Sequence, residues 1–325
     1  MRPFIALAVA FAGIAQASAV QHSEKILIQG NAAGNQTVQT DATGAARAEY
    51  SYDRGRGDHI IATWKLDAAG VPTEYEGHGR DYMKAPIEEQ FEVKDGKARW
   101  KNRTEKGEQA ISSEAFYVPA NPPPEFAGVL ARALLKAPGH KLSLLPAGEA
   151  SIEESGKVSV DGASGKVELI QYRITGLGFT PRSIWLDHDG NTAASVSSWF
   201  SVIPAEYEPA VSQLQAAQQE ADNAWSGRLA QERAHVPKGD LVIRNTRLFD
   251  PGDLSVTVGT RVLVRGNRIV RVAPDADIKP SADAEIIDAH GRFVMPGLWD
   301  NHQHFSDVEG RARSGQRCDQ RARHG

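Results

Sequence analysis

Ile286 to Phe305 reads IIDAHGRFVMPGLWDNHQHF: a short apolar run, a turn at Ala289 to Gly291, an apolar pair at Phe293 and Val294, and a Pro296-Gly297 break before a strand begins at Leu298. Side chains alternate along a strand, so Asp300, His302 and His304 share one face while Trp299, Asn301, Gln303 and Phe305 take the other. Neutral imidazole is a preferred ligand of zinc and similar divalent metals, and an H-x-H pair on one strand directs two nitrogens toward one point. Two half-buried histidines bonded to backbone would satisfy the same spacing. The spacing alone therefore leaves both readings open.

The wider pattern is more specific. The I-I-D-A-x-G-R segment, the Pro-Gly break, Asp300 and the His302-x-His304 pair together resemble the amidohydrolase superfamily of metal-dependent hydrolases. The resemblance covers about Asp240 to Val308 and does not extend to Val20 to Ala234. It implies that the short strands at Leu241 to Arg244, Arg261 to Arg265, Ile269 to Val272 and Glu285 to Asp288 build a small β-sandwich, completed in such proteins by strands from the far end of the chain. Leu298 to Phe305 would then be the first strand of a (β/α)8 barrel. By the same resemblance His302 and His304 are metal ligands, Asp300 orients a ligand, and the cofactor is a divalent metal, with zinc foremost. The reaction implied is attack of metal-activated water on a C–N bond of a small-molecule amide or dipeptide substrate.

After Glu309 the expected pattern stops. The chain continues G-R-A-R-S-G-Q-R-C-D-Q-R-A-R-H-G, rich in Arg and without apolar periodicity. A disordered basic tail is one reading. A reading-frame shift is the other: the tail is compatible with a coding string that, read one base later, yields a helical stretch followed by G-V-T-S-V-R-D, which is similar to the family's second barrel strand. On that reading the barrel is truncated, Cys318 has no redox meaning, and the polypeptide is not a competent hydrolase.

The chain has 325 residues, 37 Lys and Arg against 41 Asp and Glu, and a formal net charge of -4. That balance, without a basic face, argues against nucleic-acid partners. Met1 to Ala19 has the form of a signal peptide, with Arg2 as the positive start, a mostly apolar run from Phe4 to Ile14, and Ala17-Ser18-Ala19 as a cleavage site. The run is shorter than the roughly 20 residues needed to span a bilayer, so a secreted or periplasmic protein without a membrane span is expected. A single cysteine leaves no internal disulfide to form.

Val20 to Ala234 is strand-rich. Glu89 to Trp100 alternates on both sides of Asp95-Gly96, the signature of a type I′ hairpin. Ser183 to Phe200 predicts a second hairpin, with runs at Ile184 to Leu186 and Ala194 to Phe200. Its turn, Asp187 to Asn191, resembles part of a calcium loop, but the twelfth position is Ser198 where a bidentate Glu would be needed. It therefore reads as a plain turn. Glu125 to Ala137 predicts a helix with Phe126, Val129, Leu130, Ala133 and Leu134 on one face, and Pro209 to Ala234 predicts a longer one. His59, His78, His140 and His188 stand apart from one another and read as solvated or capping residues.

The expected fold is mainly β with helices (α+β). Signal residues 1–19 precede an antiparallel sheet domain over 20–234, a linker at 235–239, the sandwich and first barrel strand of an incomplete amidohydrolase domain over 240–308, and a basic tail over 309–325. A secreted hydrolase relative and a non-catalytic ligand-binding β domain are the two functional classes left standing.

Overall fold

The computed structural model describes residues 20–111, 114–162, 165–178 and 180–297, and the chain divides into two compact units at Ala221/Asp222. In the first unit, β1 (Val20–Ile28), β2 (Asn31–Thr40), β3 (Ala46–Tyr52), β4 (His59–Leu66), β5 (Pro72–Arg80), β6 (Pro86–Lys94), β7 (Lys97–Lys101) and β8 (Lys106–Ala110) follow one another as an antiparallel meander. Sequential pairing of this kind needs only short turns. The tightest is Asp95-Gly96, where both residues have positive φ and Lys94 pairs with Lys97. The type I′ hairpin expected from the sequence is therefore present, and glycine fills the second left-handed position at no steric cost.

Alternation along these strands puts Val38, Ala48, Tyr50, Ile60, Ala62, Trp64, Tyr75 and Phe91 on one buried face. That face packs on α1 (Glu125–Lys136), the helix expected at this position. All five residues of its predicted apolar stripe are buried, and Phe126 meets Trp64, Tyr75 and Phe116 at ring distances of 5.5, 5.2 and 5.6 Å. Burying each such side chain contributes about 1.5–3 kcal/mol, which is how a 12-residue helix of low intrinsic stability becomes fixed.

A single antiparallel sheet was expected over this stretch; its described residues form two. β9 (Ala115–Tyr117), β10 (Lys141–Leu145), β11 (Glu149–Gly162), β12 (Gly165–Thr175), β13 (Arg182–Leu186) and β14 (Thr192–Ala194) form a six-stranded sheet of order β14-β13-β12-β11-β10-β9, with β9 and β10 parallel. The expected hairpin after Leu186 is also shorter than predicted. Its second strand stops at Ala194, and β15 (Phe200–Pro204) joins β1 in the first sheet. The chain changes sheets between the two, so the apolar run to Phe200 belongs to two different surfaces. The turn at Asp187 to Asn191 is closed by Asn191 N donating to Asp187 Oδ1 at 2.8 Å. α2 (Val211–Arg233) carries a thin stripe in which Leu214 is fully buried, packed with Leu27, Trp185, Ile203 and Tyr207.

The described residues of the second unit form one sheet of five strands. β16 (Leu241–Phe249), β17 (Val256–Arg265), β18 (Arg268–Pro274), β19 (Glu285–Asp288) and β20 (Phe293–Val294) assemble as β18-β17-β16-β19, with β20 pairing β16 in parallel. The four strands expected between Leu241 and Asp288 are all here, three of them longer at their ends. No (β/α)8 barrel occurs among the described residues. The expected first barrel strand, Leu298 to Phe305, lies outside them, as do the signal segment and the tail. No helix of the described residues is long and apolar enough to cross a membrane.

Candidate functional site

The turn that opens the family-like motif is built around Asp288. Its Oδ1 accepts the backbone N–H of His290 at 2.8 Å and its Oδ2 pairs with Arg244 at 3.1 Å, while Gly291 N donates to Asn245 O at 2.8 Å. The His290 N–H in particular, with Asn245 and the nearby charges, holds the Asp288 carboxyl below the usual carboxylate range. His290 and Gly291 both have positive φ, so the chain reverses within two residues and returns as β20. Arg247 then lies over the Phe293 ring at 4.2 Å. The motif's first half thus forms a turn that fixes the direction in which the chain leaves Val294. His302 and His304, the metal ligands expected from the sequence, lie outside the described residues together with Asp300. The described residues of this unit bring no three His, Cys, Asp or Glu side chains to one point.

One such group does exist among the described residues, in the first unit. His22 and Glu24 are two apart on β1 and share a face, and Glu125 opens α1; ligand atoms of all three lie within 4.8 Å of one another. Glu24 and Glu125 are only 2 and 4 % exposed, whereas His22 is open to solvent. Gln36, directly opposite Glu24 in the β1–β2 register, donates from Nε2 to Glu24 Oε2 and accepts Glu125 N–H on its Oε1 at 3.1 Å. Arg132, two turns along α1, donates to Glu125 Oε1 at 2.5 Å and to Thr192 Oγ1 at 3.2 Å.

Two oxygens remain. Glu24 Oε1 and Glu125 Oε2 are buried and have no hydrogen-bond partner. Burial first, and the neighbouring Glu125 charge second, push the Glu24 carboxyl up to about 8. A third buried carboxylate, Glu89, makes the contrast: Tyr117 Oη donates to its Oε1 at 2.6 Å and Ala120 N to its Oε2 at 3.1 Å, so both its oxygens are occupied. Glu125 and Arg132 line a cleft of about 720 Å³, with His22, Thr192, Tyr207 and Glu206 also on its walls. The sequence reading passed over all three residues of this group. The signal available was His22-x-Glu24 on the face that carries Ile26 into the core, where a carboxylate is out of place.

No family model matches the chain. It is 36% identical over 78 residues to an adenine deaminase of Ruegeria sp., covering 24% of this chain and 13% of that protein. Against an adenine deaminase of Rubrobacter xylanophilus the figures are 39% over 85 residues, 25% and 14%, and against a dihydroorotase of Streptococcus thermophilus 40% over 67 residues, 21% and 15%. The chain thus spans about one seventh of the length of these relatives, which are amidohydrolase-superfamily members. The matched lengths are close to that of the Asp240 to Val308 segment. Among solved structures, a β-barrel-like protein of the domain of unknown function DUF1849 from Brucella abortus aligns with a TM-score of 0.36 at 10% identity, over 57% of this chain and 95% of that one.

Proposed function

We propose that the second unit is the sandwich portion of a metal-dependent amidohydrolase that acts on C–N bonds of small amides or dipeptides, and that this polypeptide is exported without forming a competent hydrolase. The observation that carries the reading is the 36 to 40% identity to adenine deaminases and a dihydroorotase over stretches of 67 to 85 residues. His302 and His304 would hold the divalent ion, zinc in the first instance, which when bound supplies an activated water. Two imidazoles alone hold such an ion weakly, because zinc sites normally draw three or four ligands from the protein. A frameshift after Glu309 accounts for the loss of the family pattern, and the nucleotide sequence past that codon tests it.

A purified sample offered adenine, dihydroorotate, N-acyl amino acids and dipeptides should give no turnover above buffer. Turnover that disappears in His302→Ala would overturn the reading. A second reading, a secreted non-catalytic ligand-binding β domain, is favoured by the cleft of the first unit, which Glu125 with its orphaned oxygen lines.

A further inference from the structure

We propose that His22, Glu24 and Glu125 form a three-ligand site for a divalent first-row cation, with zinc the best fit, opening on the cleft of the first unit. The inference rests on that unit's geometry and is independent of the hydrolase reading. Two observations meet here. The three ligand atoms already lie within 4.8 Å of one another, and two of them belong to side chains more than nine-tenths buried, each carrying an oxygen with no donor.

Buried carboxylate oxygens are normally satisfied, because an unpartnered one forfeits hydration and regains nothing. Arg132 engages only Oε1 of Glu125, and Gln36 engages only Oε2 of Glu24, so the two free oxygens face the same need. With both carboxylates ionised, a single guanidinium leaves one negative charge over. A cation between the two oxygens answers both deficits.

The donor set selects the ion. One imidazole nitrogen and two carboxylate oxygens suit zinc and its first-row neighbours, whereas calcium takes six to eight oxygens and magnesium a near-octahedral oxygen shell. Bonds of about 2.0–2.2 Å draw the three atoms closer than they stand. The exposed His22 side chain supplies that adjustment. Three protein ligands would leave a fourth position for water or a further ligand, next to the cleft that His22 and Glu125 line.

The competing account is a proton shared between Glu24 and Glu125, which would leave His22 without a role. Titration of the full chain, stripped with chelator, with zinc alone and with cobalt alone separates the two. One tightly held ion per chain is expected, distinct from any weak binding at His302 and His304. Outer-shell substitutions at metal sites cost about 10 to 100-fold in affinity, so removing a ligand through Glu24→Gln or Glu125→Gln should cost at least about 100-fold. His22→Ala, at an exposed position that cannot unfold the strand, should weaken binding and abolish the imidazole contribution to the cobalt spectrum. His302→Ala combined with His304→Ala should leave this ion in place. Absence of binding by the stripped chain would overturn the site in favour of the shared proton. So would zinc affinity unchanged in folded Glu24→Gln and His22→Ala proteins, or lost with the His302 and His304 substitutions instead.

Discussion

Glu24 sits in the core for a reason that alternation alone supplies: it occupies the position two before Ile26, on the face that β1 turns inward. Its carboxyl is raised from 4.5 to about 8, chiefly by burial and then by Glu125. A group whose folded pKa lies above its unfolded value binds extra protons in the native state between those two pH values. Native stability from this group is therefore complete below about pH 4.5 and is lost as pH rises toward 8, a change on the order of a few kcal/mol. In chelator-treated protein the urea midpoint should fall across that window, and Glu24→Gln should flatten the slope and be the more stable form at pH 8. An unchanged slope in Glu24→Gln would show that the carboxyl is not held protonated. At this scale the sequence was a poor guide. His22, Glu24 and Glu125 are far apart along the chain or hidden by a two-residue spacing, and they meet only because β1, β2 and the start of α1 converge on Gln36.

At the scale of elements the pattern was far more legible. The Asp95-Gly96 hairpin, α1 with its apolar stripe and α2 within a residue or two of its predicted ends were all readable, because each is set by turn chemistry or by periodicity within one segment. Membership of a sheet was not. Nothing local tells Phe200 to pair with β1, or Ala115 to lie parallel to Ser143, and the single expected sheet became two. Contacts between elements also govern what substitutions do. Gly128 is inside α1, where Ala is ordinarily better by about 1 kcal/mol. Here a Cβ would fall 2.0 Å from Thr192 Oγ1 and 3.0 Å from an Arg132 nitrogen. Gly128→Ala should thus lower stability, by about 1–3 kcal/mol as for other overpacked sites, with the urea m-value unchanged. A higher midpoint would mean that Thr192 rotates aside freely and Arg132 does without it.

For the whole molecule the two units differ in how much they bury. The first encloses one large apolar cluster between its sheets and α1 and a second beside α2. The second buries Val242, Val262, Ile278 and Ala289, with Thr246 and Thr260 hydrogen-bonded to each other at 2.8 Å. It leaves Val258, Ile269, Val270, Ile286, Ile287 and Phe293 exposed. Ile269 and Val270 are adjacent on one strand, as are Ile286 and Ile287, so uncovered apolar side chains occur on both faces of this sheet. Among the described residues of this unit, a single sheet with so little enclosed area does not by itself offset the entropy of ordering its chain. It follows that residues 20–234 expressed alone should keep a cooperative urea transition and native near-ultraviolet dichroism. Residues 235–325 alone should unfold without a sharp transition, bind a hydrophobic dye, and self-associate through the exposed apolar strands. Charged replacements at Ile269 and Ile287 should reduce that association without restoring a cooperative melt, because they remove adhesive surface and add no core. A sharp, concentration-independent transition from 235–325 would show that these strands find cover within their own segment.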